Sequence, residues 1–100
     1  MRQIARTDKN QREIVDALRK VGCFVRPCHQ VGDGFPDLFV AYHHVFILLE
    51  CKTEKGKLTP EQVIFHRQCK GPIFTVTSPQ EAIQVVFAVV RDKLNSARAC

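Results

Sequence analysis

Residues 34–52, GFPDLFVAYHHVFILLECK, restrict the possible folds more than any other part of the chain. Two runs rich in β-branched and aromatic residues, LFVAY and VFILLEC, are separated only by His43 and His44. This is the pattern of two antiparallel strands joined by a two-residue turn. Neither turn residue is the glycine that the tightest hairpins prefer, so the pattern leaves the turn type open. From Val45 to Leu49 the apolar residues do not alternate with polar ones, which predicts a strand buried on both faces at the centre of a sheet.

The flanking segments complete the frame. Ile14, Ala17, Leu18 and Val21 recur at i, i+3, i+4 and i+7, predicting a helix over 9–21 with Asp8 and Gln11 as a capping box and Gly22 as its stop. CFVRP reads as a short strand, followed by the glycine loop QVGDG. After the hairpin, TEKGK is a polar loop, and Thr59-Pro60-Glu61-Gln62 opens a helix that should reach Cys69, before Gly71 and Pro72. IFTVT reads as another strand. Ser78, Pro79 and Glu81 repeat the capping pattern for a last helix with Ile83, Val86, Phe87 and Val90 on one face, fraying near Asn95. The predicted order is α-β-β-β-α-β-α in one α/β domain, with no repeats or linkers.

Three charges sit at the ends of the apolar hairpin. Side chains alternate along a strand, so Glu50 and Lys52 share a face, and the antiparallel pairing brings Asp37 beside Glu50. Clustered carboxylates repel unless a cation lies between them. A hard divalent ion, Mg²⁺ or Mn²⁺, takes such oxygens, and the Cys51 carbonyl offers one more. Lys52 would orient or activate an attacking water and counter charge on a phosphate. The competing reading is an internal salt bridge between Lys52 and Asp37 or Glu50, with one acid left over.

Charge and cysteine usage narrow the partners. Fifteen Lys and Arg against ten Asp and Glu give a net charge of +5, which favours a polyanion such as DNA. Lys55 and Lys57 in the TEKGK loop are the candidate DNA contacts. No stretch has the roughly 18 consecutive apolar residues of a membrane span, and MRQIARTDKN does not resemble a secretory leader, so a cytoplasmic protein of a bacterial or phage-infected cell is expected. The five cysteines, Cys23, Cys28, Cys51, Cys69 and Cys100, are scattered and odd in number, which argues against a disulfide framework. HRQC and CFVRPCH bring soft ligands together without paired C-x-x-C spacing, so a structural zinc is disfavoured.

The string GDGFPDLFV…ILLECK…GKLTPEQVIFH, with the late S-P-x-E segment, resembles the VRR-NUC branch of the PD-(D/E)xK nucleases from about Asp8 to Val86. The resemblance implies a restriction-endonuclease-like core with an extra C-terminal helix and a mixed central sheet flanked by helices. It also implies a metal-dependent DNA endonuclease. Asp37 and Glu50 match the family's metal-binding acids, Cys51 its main-chain ligand and Lys52 its catalytic lysine. Gln62 matches a glutamine near the site in several branches, and is equally well read as the capping partner of Thr59. The family's first-helix glutamate corresponds to Glu13, although that residue lies about 100° from Ile14 on the helix; Asn10 and Gln11 are the alternatives, as amides in place of the acid. His43 and His44 read as turn residues and His66 as a surface residue.

Small stand-alone members of this kind suggest a homodimer acting on branched DNA such as Holliday junctions. The apolar excess on the last helix, Val85, Val86, Phe87, Val89 and Val90, is a candidate for the dimer surface. Rival readings are a restriction-type or single-strand or flap nuclease on the same fold, a non-catalytic DNA-binding protein, and a zinc-stabilised interaction module.

Overall fold

The computed structural model describes residues 6–99, so Cys100 lies outside the described residues. Helix α1 spans Arg6–Lys20. It starts earlier than the periodicity predicts, so Asp8 lies within the helix and not at the position before it. Its end is as expected. Cys23 N–H donates to the Leu18 carbonyl and Gly22 N–H to that of Arg19, with Gly22 at φ 100°. This pair of bonds is a Schellman termination, which needs a left-handed residue where Gly22 stands.

The sheet has four strands in the order β1-β2-β3-β4: β1 (Phe24–Pro27), β2 (Leu38–Tyr42), β3 (Val45–Cys51) and β4 (Ile73–Val76). The first three form an antiparallel meander, and β4 joins β3 in parallel. Tyr42 pairs with Val45 across the turn, where His43 and His44 have φ of 50° and 66°. Two successive positive φ values identify a type I′ turn, whose twist suits a hairpin. The sequence left this turn type open.

One face of the sheet carries the core. Val25, Leu38, Val40, Val45, Ile47, Leu49, Cys51 and Val76 pack there against Ile14 and Leu18 of α1 and Ala82, Val86 and Val90 of α3 (Pro79–Ala99). The buried row on α3 is therefore Ala82-Val86-Val90 at i, i+4 and i+8. Phe87, expected on the core face, is 42% exposed and stacks on Tyr42 with ring centroids 5.4 Å apart. With no Gly or Pro to interrupt it, α3 also continues past Asn95. Its cap differs in detail: Glu81 N–H donates to Ser78 Oγ, while the Glu81 carboxylate accepts from the N–H and hydroxyl of Thr77, one residue before the cap.

The other face corrects an expectation. Central strand β3 is not buried on both sides, because Phe46 is 61% exposed and Leu48 only half-buried. Helix α2 (Pro60–Gln68), the element between β3 and β4, contributes no buried residue and leaves the first half of β3 uncovered. Thr59 and Gln62 form the predicted capping box. Among the described residues no helix is long and apolar enough to cross a membrane.

Candidate active site

The site grows out of the β2–β3 register. Leu38 pairs with Leu49, which sets Asp37 beside Glu50 at the end of the hairpin. The Asp37 carboxylate is fixed there because its Oδ2 accepts from Cys51 N–H at 2.8 Å. On the other side, Cys28 N–H donates to the Asp37 carbonyl at 2.8 Å, tying the start of β2 to the glycine loop. A strand residue directs its N–H and C=O to the same side, so the Cys51 carbonyl also faces the Asp37 side.

The glycine loop sets the position of α2. Gly32, Asp33 and Gly34 have φ of 79°, 54° and 80°. A Cβ on Gly34 would lie 2.5 Å from the Glu61 carbonyl oxygen, so only glycine lets the loop approach the helix this closely. Next to it, Phe35 meets Phe65 edge to face, with centroids 5.2 Å apart. These contacts set the first turn of α2 over the end of β3.

Gln62 is thereby carried to Glu50. Its Oε1 accepts from Thr59 N–H at 2.9 Å, while its Nε2 donates to Glu50 Oε2 at 3.0 Å. The partners determine which end of the amide is which, since one is a donor and the other a carboxylate. The two readings of Gln62 open at the sequence level are thus the two ends of one side chain, both engaged.

Glu50 is the only fully buried charged side chain among the described residues, and its Oε1 has no hydrogen-bond partner. Burial, followed by the neighbouring Asp37 carboxylate, pushes its carboxyl from 4.5 to about 8; Lys52 works in the opposite direction. Burial, together with the charges of Asp37 and Glu50, also lifts the Cys51 thiol to about 12, so Cys51 is an inert core residue at neutral pH. An isolated pair of acids with an orphaned oxygen is poorly matched to its own surroundings. It is well matched to a hard cation with oxygen ligands.

Lys52 is half-buried on the Glu50 side of the strand. The internal salt bridge does not form, since the one ion pair among the described residues is Arg91–Asp92. From α1, it is Asn10 that reaches the strand: its Nδ2 donates to the Lys52 carbonyl at 3.1 Å. Glu13 is exposed and lines a groove with Lys9, Asn10, Thr53, Glu54 and Thr77. Among the described residues no three His, Cys, Asp or Glu side chains cluster in a way that could hold a metal ion. Any cation at Asp37 and Glu50 would therefore also draw on backbone oxygen and water.

No family model matches the chain, and neither does any curated protein. A solved structure described as a VRR_NUC domain does match, with probability 1.00 and a TM-score of 0.64, over 80% of this chain and 92% of that one, at 24% identity. The chain has the VRR_NUC fold. The mixed sheet and the α-β-β-β-α-β-α order expected from the sequence are those observed.

Lys55 and Lys57 are exposed on the loop after β3, and His43 and His44 on the hairpin turn at the opposite end of that strand. His66 is half-buried and not a surface residue; it lies one turn after Gln62 on the same helix face, and burial lowers its pKa. Sequence reasoning missed Asn10 as the anchor of the active strand and Gly34 as the point of helix approach. Neither had a local signal, because the partners lie 42 residues away for Asn10 and on a separate element for Gly34.

Proposed function

We propose that this chain is a Mg²⁺- or Mn²⁺-dependent endodeoxyribonuclease that hydrolyses phosphodiester bonds in DNA. The observation that carries the reading is the buried Glu50 carboxylate, with one oxygen held by Gln62 and the other unpartnered, set against Asp37 at a sheet edge. The VRR_NUC fold and the net charge of +5 support it.

Asp37, Glu50 and the Cys51 carbonyl would hold the ion. When bound, it would neutralise charge building on the phosphate and make water a better nucleophile. Asp37 is kept in place by Cys51 N–H, and Gln62 constrains Glu50 so that Oε1 remains free. The Lys52 ammonium, with no carboxylate within ion-pair distance, can orient the attacking water and offset charge on the phosphoryl oxygens. Asn10 steadies the strand end that carries Lys52, and Glu13 supplies a further acid at the rim of the neighbouring groove. Lys55 and Lys57 contact the DNA backbone.

The substrate proposed is branched DNA such as a four-way junction, cut by a homodimer whose two-fold symmetry offers one centre to each of two strands. Cleavage of linear duplex, single strand, flap and four-way junction is compared with Mg²⁺, Mn²⁺ or EDTA, for the parent, Asp37→Ala and Lys52→Ala. The expected result is metal-dependent cutting of the junction by the parent alone. Failure of both ions to support cutting of any substrate, or variants that cut like the parent, would refute the nuclease reading.

A further inference from the structure

The acids share their face of the sheet with an aromatic surface. Alternation along β2 and β3 puts Phe39 and Ala41 on the side of Asp37, and Phe46 and Leu48 on the side of Glu50. On β1 the register adds Phe24 opposite Ala41 and Arg26 opposite Phe39. This area is open to solvent, with Phe24 58% and Phe46 61% exposed. Phe39 bridges them, its ring centroid 6.4 Å from that of Phe24 and 5.4 Å from that of Phe46. Contiguous apolar surface of this kind marks an interaction site.

At the free edge of β1 the surface runs into a cleft of about 720 Å³. Its walls include Arg19, Phe24, Arg26, His29 and Gln30, and none of the residues lining it is acidic. One guanidinium nitrogen of Arg19 donates to the Val25 carbonyl at 2.9 Å. That bond holds the planar group in place and leaves its remaining donors for a ligand. Arg19 and Arg26 are both exposed, and neither takes part in the one ion pair among the described residues.

We infer that this face is a binding platform for a short unpaired stretch of DNA, whose bases stack on Phe24, Phe39 and Phe46 while its phosphates lie at Arg26 and Arg19. The inference deepens the nuclease reading and rests on it for the identity of the polymer. Charge and ring chemistry together select the occupant. Apolar rings accept the flat face of any base, and arginine matches phosphate. Arg26 is the only charge on the open part of the face, and the cleft beside it is basic. A second copy of the chain, itself carrying a net +5, would meet repulsion there.

Spacing gives the platform its capacity. Phe24 and Phe46 both pair with Ala41, so their backbones stand two strand spacings, about 10 Å, apart with a small side chain between them. With Phe39 they offer room for about two or three bases, as on other four-stranded sheets that bind single strands. Phe39 lies two residues, about 7 Å, from Asp37, and Phe46 four residues, about 13 Å, from Glu50. A strand held on the rings therefore brings its next phosphates to the acids. The platform gives the centre a preference for a phosphodiester flanked by unpaired bases.

The test is fluorescence anisotropy of the full chain in EDTA with three probes of equal length, about ten nucleotides: oligothymidylate, a matched duplex and an oligomer of abasic sugar-phosphate. The variants are Phe24→Ser, Phe46→Ser, Phe46→Trp and Arg26→Gln, with Phe87→Ser on α3 as control and circular dichroism to confirm folding. The parent should bind oligothymidylate more tightly than the abasic oligomer. Each serine on the sheet should weaken oligothymidylate binding about 5-fold or more and leave the duplex and abasic affinities unchanged. Phe46→Trp should retain the parent's affinity, and Phe87→Ser should match the parent. Arg26→Gln should weaken both single-stranded probes and lower the salt slope by about 0.7, the loss of one phosphate contact. Equal affinity of the parent for oligothymidylate and the abasic oligomer overturns the inference, as do serine variants that bind oligothymidylate like the parent. Serine variants that keep that affinity but alter the sedimentation of the free protein assign the face to a second copy, which also overturns it. None of these readouts depends on cleavage or a metal ion, so the platform and the nuclease reading can fail separately.

Discussion

Replacing Glu50 by Gln should stabilise the metal-free protein while removing its ability to respond to a divalent ion. Glutamine keeps the shape of the side chain, and its carbonyl can still accept from Gln62 Nε2. It removes only the ionisable carboxyl. In the fold, that carboxyl lies at about 8 and its ordinary value is 4.5. An acid raised in this way holds its proton more tightly when folded, so its effect favours the fold in acid and is lost as pH climbs from about 4.5 to about 8. At about 1.4 kcal/mol per unit, the penalty on the parent at pH 7 is on the order of 3 kcal/mol. For a domain of this size it corresponds to a melting difference of about 10 °C or more. Thermal unfolding in EDTA, followed by circular dichroism from about pH 4 to pH 8, reads it directly. Parent and Glu50→Gln should converge near pH 4 and separate as pH rises, with the variant higher. Adding Mg²⁺ or Mn²⁺ at pH 8 should raise the parent and leave the variant unchanged. Parallel melting curves across the pH range, or equal stabilisation of both proteins by the ions, would refute the reasoning.

Other predictions concern the residues around this pair. Gly34→Ala combines a positive φ with a Cβ pressed against the Glu61 carbonyl, and should lower stability by on the order of 2 kcal/mol, read by chemical denaturation. Thr59→Ala removes the cap of a helix with no buried residue; hydrogen exchange should show about 1 kcal/mol less protection within α2, with little change in the global melt. Lys52→Met should cut the single-turnover cleavage rate by about 100-fold or more while changing stability by less than about 1 kcal/mol, because Lys52 makes no ion pair. A large drop in melting temperature with cleavage retained would instead make it a structural cation.

The parts of this molecule that could be read from sequence are those whose cause is local. The hairpin follows from two apolar runs and a two-residue gap, and the cap at Thr59 from its spacing to Gln62. The Schellman stop follows from Gly22. Asp37 and Glu50 were legible as neighbours because a two-residue turn leaves only one register that pairs these strands. What could not be read was which faces other elements would cover. The run Val45 to Leu49 is apolar throughout whether its outer face meets a helix or, as for Phe46, meets solvent. For Gln62, sequence offered two roles as alternatives, since nothing local reveals that an amide engaged at its oxygen has its nitrogen aimed at a strand end. Asn10 was visible only as a weak substitute for an acid, and its bond to the Lys52 carbonyl depends on how α1 lies across the sheet.

The connectivity of the sheet also has a consequence in time. Strands β1, β2 and β3 are sequence neighbours, whereas β4 reaches β3 only after α2 has been laid down. Hairpins close in microseconds, and pairings between distant segments are slower. Asp37 and Glu50, 13 residues apart across the turn, are therefore expected to meet early in folding, while water still screens them. Their repulsion becomes severe only when α2 and β4 arrive and shut the solvent out. The late docking of that half of the molecule should then be the step that acid, or a divalent ion, accelerates.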